Sequence, residues 1–360
     1  MNEPSEPQDE SGTEPSQPDP VLLQPLPRAV RVPRKVRLPG PGFLMAVVWM
    51  VLLTIAQAVF GVVRFFIDGQ KSGPFTFAFG TVGLFLAAVL YVIAMYGLTV
   101  REKLAIRLPK LKQLTFVVLL TTPLVVVVSE IGACLLEICR RVGIPDWIMA
   151  PQDLINVIDA VRQYNPWLAA AGFVVFGGIM PGLGEELFFR GFVGRGLLAR
   201  WGIVGGILLT SLLFAAMHVF LVQAAAAFLL GLLLHAVYLW TRSLIAPIVL
   251  HAVYNSQVFL ASEMTRNTAH DLAADDHVPP VLALLSVIAA IGLVYLLYRS
   301  RVRWVRTDGA DWSPGFPTAE TPLAQAETQL VGSRLGAGPV AVVAVVYLLF
   351  IADLVWEIVR

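Results

Sequence analysis

The sequence predicts an all-α fold, a polytopic transmembrane helical bundle of about eight or nine spans. Of its 360 residues, 57% are hydrophobic and 14% charged, where a soluble domain carries about a quarter charged residues. Apolar runs long enough to cross a bilayer, about 20 residues each, recur along the chain. Lys and Arg gather in the connections of one side, as the positive-inside rule requires. A net charge of +1 argues against nucleic acid as a partner.

The elements follow in order. Met1 to Pro20 is acidic and rich in Pro and Ser, too poor in apolar surface to fold, and it does not read as a signal peptide. The basic patch Arg28, Arg31, Arg34, Lys35 and Arg37 completes a disordered cytoplasmic tail over 1–41. Candidate spans are 43–65, 75–98, 114–138, 168–198, 203–221, 224–239, 244–261, 280–298 and 338–359. The run from Trp201 to Thr241 has no Asp, Glu, Lys or Arg and is too long for one span; it is broken at Gln223, its most polar central residue. Between the third and fourth spans, 151–165 has Leu154, Ile155, Ile158 and Val161 at helical spacing, with Asp153, Asp159 and Arg162 between. That pattern reads as an amphipathic helix lying on the membrane. Residues 304–336 read as a polar loop. The chain divides into 42–150, N-terminal helices; 151–262, the core that carries the chemistry; and 263–360, C-terminal helices with that loop.

Orientation follows from the basic residues. The loop with Arg101, Lys103, Arg107, Lys110 and Lys112, the set Arg299, Arg301, Arg303 and Arg306, and Arg195, Arg200 and Arg242 fall on the side of the N-terminal patch. Glu263, Asp271, Asp275 and Asp276 fall on the other. The N-terminus is therefore expected in the cytoplasm of a plasma-membrane protein and the C-terminus outside; Arg140-Arg141 is the exception. Cys134 and Cys139, five apart on one helix, point in different directions and make a poor disulfide.

Three charges stand inside an apolar stretch: Glu185, Glu186 and Arg190. Two later spans each carry a histidine, in Phe214-Ala-Ala-Met-His218 and His251-Ala-Val-Tyr-Asn255. Ionisable groups at membrane depth are costly and default to a functional reading. Glu186 and Arg190 are four apart and share a helix face, so a mutual ion pair is expected. Glu185 points about 100° away and has no local partner, which makes it the candidate base. His251 and Asn255 share a face and can present two donors to one point, or one metal ligand and its neighbour. At 1.5 Å per residue, Glu185 lies about 20 Å deep, His218 about 22 Å, Asn255 about 16 Å and His251 about 10 Å, near enough for one cavity. Phe214 reads as packing. His235 reads as a histidine hydrogen-bonded to a neighbouring helix, or an extra donor in the cavity. His270 and His277 read as solvated surface. Glu130 and Glu137 read as snorkelling to the interface.

In that order, Glu185-Glu186-x-x-x-Arg190, Phe214-x-x-x-His218 and His251-x-x-x-Asn255 resemble the three motifs of the CPBP family, which groups type II CAAX prenyl proteases with bacteriocin-processing and self-immunity (Abi) proteins. The linking stretch from Phe228 through Gly231, Tyr238 and Pro247 to His251 is similar too. The resemblance covers roughly Trp167 to Ala261 and implies an intramembrane endopeptidase acting on a peptide or protein substrate. On that resemblance Glu185 and His218 activate a water, and His251 and Asn255 stabilise the tetrahedral oxyanion. The alternative it offers is a zinc enzyme with Glu185, His218 and His251 as ligands. No His-Glu-x-x-His is present, and a glutamate base with His/Asn donors needs no cofactor, so the metal-free version is expected. A non-catalytic scaffold or immunity protein would need none of these four residues. A transporter would show internal repeats or broken helix pairs, which the sequence lacks.

Overall fold

The computed structural model describes residues 38–68, 74–145, 148, 166–218, 220–267, 277–323 and 328–359. The acidic tail, the basic patch, the amphipathic segment 151–165, His270, and Asp271, Asp275 and Asp276 lie outside the described residues.

Nine helical stretches make up the described bundle. They are α1 (Phe43–Asp68), α2 (Pro74–Tyr96), α3 (Leu111–Arg141), α4 (166–201), α5 (203–216), α6 (Leu221–Thr241), α7 (Ile245–Asn267), α8 (Pro280–Arg299) and α9 (Ala337–Val359). Among the described residues, six helices are long and apolar enough to cross a membrane. Helix is the expected answer in lipid, because each backbone N–H and C=O is satisfied within its own segment.

Two breaks position the site. Helix continues without a loop from 166 to 216 except at Gly202, whose φ of +70° and ψ of −170° end α4 and start α5. Glycine alone adopts that backbone without a Cβ penalty. The second break is not at Gln223, as expected, but at Met217–Phe220. Gln223 is exposed in the first turns of α6, where an amide does not interrupt a helix. At the actual break His218 turns its ring back onto the Phe214 carbonyl, and Phe220 takes extended backbone as the cap of α6.

The α4 helix is wound with wide, π-type turns over Phe173–Ile179 and Leu187–Gly194, a distortion common at functional sites. Its glycines set its distances to its neighbours. A Cβ on Gly182 would lie 3.1 Å from the Ala252 nitrogen of α7, and one on Gly178 would lie 2.9 Å from the Ala252 carbonyl. One on Gly184 would lie 3.0 Å from the Phe85 Cα of α2. Small residues four apart allow such backbone-to-backbone crossing of helices in a bilayer. A large apolar core joins α3, α6, α7, α8 and α9 through Val117, Leu120, Leu234, Leu250, Leu293 and Val343.

The expected polar loop 304–336 is instead partly a sheet. β1 (Val302–Arg306) pairs antiparallel with β2 (Thr328–Gly332), from Val302↔Gly332 to Arg306↔Thr328. Val302 and Trp304 face inward and Arg303 outward, the period of two that a half-buried strand requires. The connection between the strands buries Ala319 completely and Glu320 nearly so. Glu320 pairs with Arg195 and stands 3.6 Å from Lys103, and its carbonyl accepts from Arg242 at 3.4 Å. Thr321 N–H donates to the Glu102 carbonyl at 2.9 Å. The basic residues expected on one side thus converge on one end of the bundle. Arg195 is more than a surface charge: it is 1% exposed and lies over the Tyr96 ring. At the other end of α3, Arg141 pairs with Glu137, which offsets part of the charge of the Arg140-Arg141 exception. Cys134 and Cys139 are both free thiols.

Candidate active site

The carboxylate pair sits on α4 where α7 crosses closest. Glu186 and Arg190 are fully buried, and Arg190 Nη1 donates to Glu186 Oε1 at 2.7 Å. Arg190 Nη2 donates to the Gly231 carbonyl at 3.1 Å, and its guanidinium stands 4.8 Å from the Phe214 ring centre. The expected ion pair is present, and it has a third member. His251 Nδ1 lies 3.0 Å from Glu186 Oε1, and His251 Nε2 lies 3.9 Å from Glu185 Oε2. One imidazole, 3% exposed, therefore bridges both carboxylates of the pair.

The partners fix the protons. A carboxylate paired to Arg190 only accepts, so His251 Nδ1 carries the hydrogen of that bond. The Phe214 carbonyl also only accepts, so His218 Nδ1, 2.9 Å away, carries one too. A neutral His218 then presents Nε2 as a lone pair. Between His251 Nε2 and Glu185 Oε2 a neutral ring would set two acceptors face to face. A shared proton or a water donating to both resolves that opposition. Glu185 Oε2 is buried and has no hydrogen-bond partner among the described residues, although the side chain as a whole is 21% exposed. Of the two glutamates it is the one open to a ligand.

The remaining groups join through Phe214 and Gly177. The His218 and His251 rings both stand edge-on to Phe214, with centroids 5.0 and 5.9 Å away. Phe214, read from sequence as packing, thus separates the two histidines and also backs Arg190. Asn255, one turn beyond His251, donates to the Gly177 carbonyl in the wide-turn segment at 3.2 Å. Its amide has two hydrogens, and this bond uses one. Glu185 and His251 meet although helix counting set them about 10 Å apart in depth; wide turns rise less per residue than α-helix, and the segment Leu187–Gly194 between Glu185 and the end of α4 takes up part of that difference.

His235 meets neither expectation. It is fully buried, both ring nitrogens lack hydrogen-bond partners among the described residues, and it packs against Gly194 and Tyr238. A Cβ at Gly194 would lie 2.5 Å from its Cε1. The sequence signal for the α4–α7 crossing was available in Gly178-x-x-x-Gly182, a small-residue pair just before the glutamates.

The zinc alternative can be tested on donor positions. Among the described residues, the group of His, Cys, Asp and Glu donors lying within 4.8 Å of one another is Glu130 and Cys134, far along α3, with His277, just before α8. The ligand atoms of Glu185, His218 and His251 do not all lie within that distance of one another.

The family model described as type II CAAX prenyl endopeptidase Rce1-like matches residues 166–257. No curated protein and no solved structure gives a match. The matched segment opens with α4 and closes two residues past Asn255, so it holds the whole Glu185–Glu186–Arg190–His218–His251–Asn255 constellation. Residues 166–257 are accordingly similar to an Rce1-like domain, the type II CAAX prenyl endopeptidase type of membrane protease, and lie within a polytopic helical bundle.

Proposed function

We propose that the chain is an intramembrane endopeptidase in which Glu185 activates a water held between its carboxylate and His251. The observation that carries this reading is the bridging imidazole, bonded to Glu186 through Nδ1 and facing the partnerless Glu185 oxygen through Nε2. Glu185 takes the water's proton as the hydroxyl attacks the scissile carbonyl. His251, held by its Nδ1 on Glu186, donates from Nε2 to the oxyanion, and the free amide hydrogen of Asn255 is the second donor. His218, with Nε2 as acceptor, relays the proton from Glu185 to the departing amine. No step requires a metal. The substrate is a peptide or protein at the membrane, and the family match makes a prenylated C-terminal peptide the first to assay; bacteriocin or other peptide maturation is the next. The convergence of basic residues near Glu320 supports a cytoplasmic N-terminus and cleavage near the cytoplasmic face of the plasma membrane.

The test is peptide cleavage by the purified full chain, compared with Glu185→Gln. Glutamine keeps the shape and loses the basic oxygen, so activity should fall about 10²–10⁴-fold with unchanged melting, and Asn255→Ala should be impaired less completely. Full activity in Glu185→Gln on a verified substrate overturns the assignment of the base. Loss of wild-type activity to a chelator, restored by zinc, overturns the metal-free mechanism.

A further inference from the structure

The far end of α3 carries a second cluster that the protease reading does not use. At 31 residues and 1.5 Å per residue, α3 is about 46 Å long, against a hydrocarbon core of about 30 Å. Its start is tied to the basic end of the bundle, where Lys112 donates to the Ser333 carbonyl and Gln113 to the Ser300 carbonyl. Its last turns therefore project beyond the hydrocarbon on the opposite side. Glu130, Cys134, Glu137 and Arg141 follow one another there at spacings of three or four, along one helix face. The described chain resumes beside them at His277, just before α8.

These side chains already face one another. His277 Nδ1 is 2.8 Å from Glu130 Oε1, and the Cys134 thiol donates to the same oxygen at 3.6 Å. Glu130 Oε2 accepts the Val278 N–H at 2.8 Å, which holds the carboxylate in place. His277 Nε2 faces Glu137 Oε2 at 3.6 Å, and Arg141 in turn pairs with Glu137. His277 and Glu137 are about half exposed, so an ion can enter. Sequence reading assigned His277 to solvated surface and the two glutamates to snorkelling; all three instead meet.

We propose that Glu130, Cys134 and His277 form a binding site for a zinc-class divalent cation at the end of the bundle opposite the basic face. The donor set is one thiolate, one imidazole and one carboxylate, the types zinc prefers, with a water in the fourth place. Tetrahedral zinc with those bond lengths sets its ligand atoms about 3.3–3.6 Å apart. The 3.6 Å thiol–carboxylate distance already matches, and the imidazole–carboxylate distance opens by about half an ångström from its hydrogen bond. Metal binding displaces the thiol proton, and Glu137 takes the Nε2–H of the ligating imidazole, the outer contact that fixes metal-bound histidines. A filled site fastens the chain entering α8 to the end of α3.

Titration of the purified, metal-stripped full chain with Co²⁺ in detergent reads this directly. A thiolate-to-cobalt charge-transfer band should grow to one equivalent and be displaced by Zn²⁺. It should vanish in Cys134→Ser and His277→Ala and persist in Cys139→Ser and in Glu185→Gln. Zn²⁺ should raise the melting temperature of the wild type and leave that of Cys134→Ser unmoved. Circular dichroism of the stripped variants, unchanged from wild type, would show that the band is lost through its ligands and not through the fold. Absence of a band in the folded wild type overturns the site and leaves a His277–Glu130 ion pair. A band kept in Cys134→Ser or lost in Cys139→Ser or Glu185→Gln overturns the ligand assignment.

Discussion

Glu186 is held between two cation-forming groups, the Arg190 guanidinium at 2.7 Å and the His251 imidazole at 3.0 Å. All three side chains are buried, so each depends on the others for compensation. Arg190→Ala removes the permanent cation and leaves a buried carboxylate with one titratable partner. Breaking such a pair costs about 3–5 kcal/mol, and the expected outcome is loss of folded protein in detergent. Normal yield and melting with only the activity gone would instead place Arg190 in the chemistry. At this scale the sequence was informative, because charges in an apolar run are visible without a structure. It named Glu185, Glu186, Arg190, His218, His251 and Asn255 and paired Glu186 with Arg190. It did not foresee that one imidazole spans both glutamates, because spacing within a helix says nothing about the register between helices.

The register is set by glycine. Gly178 and Gly182 let α4 touch the Ala252 backbone of α7, which brings Glu185 and His251 within reach of one water. A side chain at 182 meets the Ala252 nitrogen and the Ile248 carbonyl at 3.1–3.2 Å, and backbone cannot yield as a flexible side chain can. Gly182→Val should therefore cost about 1–3 kcal/mol, the range of core overpacking, and depress cleavage more than the stability loss explains. Gly83→Ala, where a Cβ meets nothing within 4 Å, is the control and should match wild type in melting and activity. Equal behaviour of the two variants would mean that the crossing does not position the site. Helices were legible at this scale as apolar runs. The break near Gln223 was not, because polarity marks a lipid-averse residue, while helices end where a backbone group finds another partner, as at Phe214 and His218. The strands were missed for a different reason: the alternation in Val302-Arg-Trp-Val-Arg306 is only five residues long and sits among loop residues.

Across the molecule, the strand-linking segment is fastened to the basic end of the bundle through one buried carboxylate. Glu320→Ala would leave Arg195, 1% exposed, without its counter-ion, at a cost of about 3–5 kcal/mol. It should lower the melting temperature and open 302–332 to added protease. Lys103→Ala removes only the partner that is 35% exposed and should cost under about 1 kcal/mol. If Glu320→Ala melts like wild type, the segment is not held by that contact. Nothing in the sequence distinguished Glu320 from an ordinary loop glutamate, since the partners of its carboxylate lie more than a hundred residues away. The tight crossings of α4 also have a consequence for traffic. With Gly182 against α7 and Gly184 against α2, backbone meets backbone on both flanks of the helix beside Glu185. A strand cannot slip in sideways through either of these two seams, so a peptide reaching that carboxylate must come by another side of the helix.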